Sequence, residues 1–283
     1  MNILVTGGAG FIGRHLCTAL VSEGCNVYSI DDYSRGYRDN HVPHVTYITG
    51  HTKDIVELTE QLPKLDVVFH LGEGSRVVPS FTDIRGYQES SCEGTFNVLE
   101  YCRHNNIKIV YAASSSMFGG EKTKWDSPYS LFKSINVDLI QCYGKWFDLQ
   151  YAITFFYNVY GPTVNVTDID SVINLFERMY REGKPLTVVE PGTQTRCYIH
   201  VSDVVRGLIA AWKYPKNDLF HFGTTTLYSL LDIVKLFECE HVMIPPRPGD
   251  RPNGAVPETS TTDKLDWRPE IELRDWICEI KQS

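Results

Sequence analysis

Apolar and polar positions change period several times in the first thirty residues. Ile3, Leu4 and Val5 form a short run, the pattern of a strand buried on both faces. Leu16, Ala19, Leu20 and Val21 then take helical spacing, and Gly24 stands where a helix would end. "NVYSI" at 26–30 returns to the strand pattern. "LDVVFHLG" (65–72) and "IKIVYAAS" (107–114) read as two further buried strands. Between them, residues 87–106 read as one long helix with Phe96, Val98, Leu99 and Cys102 on its apolar side. Residues 128–147 read as another helix, with Ser127 as N-cap and Pro128 in its first position. Strands alternating with helices predict an α/β fold, a doubly wound parallel sheet of Rossmann type, with ligands at the C-terminal ends of the strands.

The first strand-to-helix turn carries chemistry. Gly7, Gly10 and Gly13 lie in "GGAGFIG". Glycines there let a main chain approach a pyrophosphate closely, and the helix N-terminus offers unpaired N–H groups and a positive dipole end. Asp31 follows the second strand about 20 residues on, where an acid can accept both ribose hydroxyls. A carboxylate there would repel a 2′-phosphate, so NAD is expected rather than NADP.

Net charge is −8, which argues against a broad surface for nucleic acid. No apolar run reaches the ~18 residues of a membrane span, and the start of the chain lacks the features of a secretory signal. The eight cysteines are scattered with no C-x-x-C pair, so no metal site is expected, and reduced thiols in a cytoplasmic protein are.

Two Tyr-x-x-x-Lys spacings occur. Tyr129 and Lys133 fall on one face of the helix that starts at Pro128. Tyr180 and Lys184 fall at a helix end broken by Gly183 and Pro185, and are expected to be solvated. A free tyrosine is a poor base near neutrality. A neighbouring ammonium and a positive nicotinamide ring would favour its phenolate.

Thr6–Gly13 resembles the T-G-x-x-G-x-x-G of the extended short-chain dehydrogenase/reductase family, in particular its nucleotide-sugar epimerase and dehydratase branch. The resemblance runs over nearly the whole chain. It implies a catalytic Ser114, Tyr129 and Lys133. It implies NAD held by Gly7, Gly10, Phe11, Ile12, Gly13, Asp31, Leu71, Tyr129 and Lys133. Ser114 stands four residues before the aromatic-glycine pair Phe118-Gly119, as in the family. Ser115 and Asn158 are implied to meet the substrate, with Arg196 on its phosphates. "RPGD" (247–250) implies Arg247 on phosphate and Asp250 on the nucleotide ribose. A Rossmann domain over 1–161 with 198–223, and a smaller substrate domain over 162–197 and 224–283, follow from the same match. So does a homodimer built on the helices near 87–105 and 128–147.

The reaction is read from residues 114–116. The family's dehydratases carry Thr-Asp-Glu there, and its UDP-glucuronate decarboxylases carry a glutamate in the third place. Here all three are serine. A 4-epimerase needs only the serine, tyrosine and lysine, so a UDP-hexose 4-epimerase is expected. The alternatives are another sugar-nucleotide enzyme of this scaffold (dehydratase, decarboxylase or reductase) or a non-catalytic sensor. Several positions depart from the family: Gly50-His51 replaces Gly-Asp, and "HLGEG" replaces H-x-A-A, bringing Glu73 to the strand end. Ser91, Val189 and Cys197 also differ, and the segment from Gly119 to Tyr129 is about ten residues short. Glu73 would be awkward beside a pyrophosphate unless it points away.

Overall fold

The structure is a computed structural model and describes residues 1–118, 125–164, 171–251 and 253–283. Gly119 lies outside the described residues. In chain order the elements are β1 (Asn2–Thr6), α1 (Phe11–Ser22), β2 (Asn26–Asp31), β3 (Val45–Thr49), α2 (Ile55–Thr59), β4 (Val67–His70), α3 (Ile84–Tyr87), α4 (Gly94–Asn105), β5 (Lys108–Ser114), α5 (Pro128–Phe147), β6 (Tyr151–Phe156), β7 (Asn158–Tyr160), α6 (Val172–Arg181), β8 (Leu186–Val189), β9 (Thr195–His200), α7 (Val201–Lys213), β10 (Asp218–Phe222), β11 (Leu227–Ser229), α8 (Leu230–Phe237), β12 (His241–Ile244), α9 (Ser260–Leu265) and α10 (Leu273–Gln282).

Seven strands pair in the order β10-β6-β5-β4-β1-β2-β3, all parallel. The strand order reverses between β1 and β4, the switch point at which such sheets open a crevice. Because both faces are covered, β1, β4 and β5 are almost wholly apolar and buried. One face packs Leu16, Leu20, Val204, Leu208 and Phe220 into a core, the other Val98, Leu99, Ile140 and Phe155. A third core holds Phe176, Leu186, Val188, Phe237 and Ile277, around the sheets β11-β9-β7 and β12-β8.

The long helix expected over 87–106 is interrupted. α3 runs into a π-helical stretch, Gln88–Glu93, before α4 begins. Asn136 of α5 donates to Ser91 O at 2.9 Å within this stretch, which accounts for a main-chain carbonyl turned out of the α-helical ladder. Trp267 was expected in the substrate domain. It lies instead in the first core, against the large sheet, with its indole donating to Asp203 O at 3.0 Å. No described helix is long and apolar enough to cross a membrane.

Candidate active site at the strand ends

The turn from β1 to α1 is built by close approach. Gly7 has φ +75°, and a Cβ there would sit 2.9 Å from the Gly72 main chain that follows β4. A Cβ on Gly13 would sit 2.0 Å from Gly7 O. Side chains are thus excluded at Gly7 and Gly13, leaving main chain to line the cradle of the turn. Gly10 caps α1 without a side-chain bond, and no acid occupies the first turn. The groups present fit a dinucleotide pyrophosphate.

Asp31 closes this cradle from behind. Ala9 N donates to its Oδ2 and Tyr33 N to its Oδ1, both at 2.9 Å. Burial pushes the carboxyl up, against the pull of those two N–H groups. Asn40 Nδ2 and Tyr37 N both donate to Ala9 O, so the loop after β2 clasps the glycine turn. Phe11 and Ile12 open α1 half-buried, and Leu71 follows β4, its N–H donating to Thr6.

Ser114 is the last residue of β5, and its Oγ accepts from Ser116 N at 3.1 Å. Ser115 is half-buried beside it. Tyr129 and Lys133 stand one turn apart on α5, whose start is fixed by Ser127: its Oγ accepts from Ser130 N at 3.0 Å. Tyr129 N donates to Ser80 Oγ, and its ring meets Tyr87 edge-on at 6.4 Å. The second pair behaves as expected of a helix end. Tyr180 packs on Phe237, and Lys184, exposed, pairs with Glu182 at 2.8 Å.

Glu73 turns away from the glycine cradle. Its side chain is 1% exposed, and Oε2 meets the Lys133 ammonium at 2.9 Å. Lys133 Nζ also donates to Ala112 O at 2.6 Å. A one-way hydrogen-bond chain ends on Glu73. Thr6 Oγ1 accepts from Leu71 N and Gly72 N, so its proton goes to His70 Nδ1. His70 Nε2–H then donates to Thr95 Oγ1, and Thr95 donates to Glu73 Oε1 at 2.7 Å. Burial pushes the His70 imidazole down to about 4, against Glu73, which fits the neutral tautomer this chain requires. Burial would raise Glu73, but Lys133, His70 and Thr95 outweigh it and hold the carboxyl below its usual value.

At the far side, Asn158 Nδ2 donates to Cys197 O and ties β7 to β9. Arg196 donates to Thr195 O and Arg251 O, both at 2.7 Å. Arg247 and Asp250 pair with each other on an exposed loop, with Nη2–Oδ1 at 3.3 Å. The guanidinium that reaches the strand ends is a different one, Arg251, which donates to Phe118 O at 2.7 Å and Ser116 O at 3.2 Å. Arg251 lies within electrostatic range of both Arg196 and Tyr129. It was missed in the sequence because it falls one residue past the "RPGD" motif. Among the described residues no cluster of His, Cys, Asp and Glu is arranged for a metal.

Residues 3–221 match the model of the NAD dependent epimerase/dehydratase family. A putative UDP-glucose 4-epimerase of Methanocaldococcus jannaschii is 30% identical, over 98% of this chain and 96% of its own. UDP-glucuronic acid decarboxylase 6 of Arabidopsis thaliana is 29% identical, over 100% of this chain and 88% of its own. The crystal structure of the Thermotoga maritima UDP-glucose 4-epimerase with UDP-glucose superposes with a TM-score of 0.92 at 26% identity, over 98% of this chain and 96% of that one. With its glycine cradle at the switch point and Tyr129 and Lys133 at the strand ends, the chain belongs to the NAD-dependent epimerase/dehydratase family.

Proposed function

We propose that the protein is a 4-epimerase of a nucleotide hexose, of the UDP-glucose/UDP-galactose kind. The observation that carries this is the run Ser114-Ser115-Ser116 at the end of β5 beside Tyr129: hydroxyl groups without a carboxyl for dehydration. The glycine cradle and Asp31 would hold NAD, whose nicotinamide would supply a reversible hydride acceptor for C4 of the sugar. Tyr129 takes the proton of the 4-hydroxyl and later returns it. Ser114 holds the reacting oxygen toward Tyr129. Lys133 supplies positive charge beside the phenol and a donor for the nicotinamide ribose. Asp31 would hold the adenosine ribose, and Arg196 the substrate diphosphate with Asn158 beside it. Arg247 and Asp250 would have to part from each other to meet the nucleotide.

A second reading, decarboxylation of a UDP-uronate, is favoured by Arg251. Its guanidinium stands near Tyr129, where a sugar carboxylate could be met. The test is NMR product analysis with UDP-glucose, UDP-galactose, their N-acetyl forms and UDP-glucuronate, with and without added NAD. Formation of the C4 epimer without net reduction of NAD is expected. A UDP-pentose product would replace the first reading with the second. No turnover with any sugar would move the weight to a sensor.

The reading includes a homodimer through α4 and α5, supported by the exposure of Phe96 on α4 and of Ile135, Trp146 and Phe147 on α5. Light scattering should give a mass near twice 32.2 kDa; a monomeric mass would refute it. A cytoplasmic setting is supported by the eight free cysteines.

A further inference from the structure

Nothing in the proposed hydride chemistry asks for Glu73, yet it is the closest charged partner of Lys133. An ammonium has three donors. Lys133 donates to Ala112 O and stands 2.9 Å from Glu73 Oε2 as an ion pair, over the Tyr111 ring at 4.9 Å, one helical turn from Tyr129. A cation lowers the cost of a nearby phenolate through its field, and a carboxylate 2.9 Å from that cation cancels much of the field.

We propose that Glu73 is a positioning residue that acts through Lys133: a buried counter-ion that withholds much of the ammonium's field from Tyr129 and sets the pH at which the tyrosine works as a base. The proposal rests on the reading of Tyr129 as that base. The groups around the pair leave it as the controlling charge. His70 of β4 is neutral in its hydrogen-bond chain. Burial raises Tyr111 of β5 well above its ordinary value, Tyr87 of α3 to about 12, and Cys92 of the π-helical stretch upward, so all three stay neutral at working pH. Arg251, from the loop after β12, is a fixed charge near Tyr129 and is itself within range of Asp126, while Arg35, Arg76 and Asp83 act on Tyr87 beyond the ring contact. Glu73 itself cannot readily shed its charge, because Thr95 and Asn136 donate to Oε1 while Lys133 faces Oε2.

The experiment titrates phenolate absorbance in cofactor-free protein. Each protein is compared with its Tyr129→Phe counterpart, so that the difference reports Tyr129 alone. In Glu73→Gln the Tyr129 signal should appear about one pH unit lower than in the wild type. The acid limb of the kcat/KM profile should move the same way. An unmoved Tyr129 signal overturns the proposal, whatever happens to thermal stability. Should Glu73→Gln not fold, the double variant Glu73→Gln/Lys133→Met, which leaves no unpaired buried charge, gives a second test. With cation and counter-ion both removed, Tyr129 should shift by less than about half a unit from the wild type. An upward shift of a full unit overturns the proposal. The titration needs neither sugar nor NAD, so a failure to epimerise would sink the functional reading and leave this result standing.

Discussion

Tyr129→Phe should lower turnover by about three orders of magnitude while leaving nucleotide-sugar affinity within about twofold. The change removes one oxygen and little else. The ring keeps its edge contact with Tyr87, and the main-chain N–H keeps its bond to Ser80 Oγ. The start of α5 is held by Ser127 and Pro128, which the substitution does not touch. What is lost is the group that exchanges a proton with the sugar hydroxyl. Calorimetric titration with the nucleotide sugar, beside NMR rates, separates the two effects. Turnover within tenfold of wild type would remove Tyr129 from the mechanism.

Stability should fall by about 3 kcal/mol between pH 6.5 and about pH 5. Two buried histidines carry this. Burial pushes both His70 and His200 down to about 4 in the folded state, from an ordinary value of 6.5. His200 accepts from Ser202 N at Nδ1, packs on Trp276, and has no hydrogen-bond partner at Nε2 among the described residues. The sign follows from which state binds more protons. Above 6.5 both states hold these rings neutral and the stability is fully present. As pH falls from there toward 4, the unfolded chain gains two protons that the fold refuses, about 1.4 kcal/mol per unit for each ring. Urea unfolding at a series of pH values measures the slope. A flat profile over this range would mean that one or both rings charge in place.

The parts of the site that were legible in the sequence are those decided locally. Gly13 is required by a turn whose wall is its own neighbour Gly7, and Ser127 caps a helix that begins at the next residue. Tyr129 and Lys133 share a face because the helix repeats every 3.6 residues. The sheet was legible for a similar reason, since strands buried on both faces are continuous apolar runs. What could not be read depends on contacts between distant segments. Glu73 was recognised as out of place, but its partner lies sixty residues on, and only the contact between the segment after β4 and α5 shows where the carboxylate goes. Arg251 and Arg247 are both arginines of one loop, and the strand ends to which Arg251 bonds lie more than a hundred residues earlier. The interruption of the helix at Gln88–Glu93 has no local breaker; it answers to Asn136 across the interface.

Trp267 has a consequence for how the chain could be recombined with its relatives. Its indole fills a place in the core of the large sheet, among residues that begin with Ile3. The chain leaves that core after β6, returns for α7 and β10, leaves again, and comes back with α9 and Trp267 before ending in the third core with α10. The core of the large sheet is therefore completed by a residue more than two hundred positions beyond its first strand. Exchanging the segment after β10 with that of a relative would exchange Trp267, a residue of the large-sheet core, along with the loops.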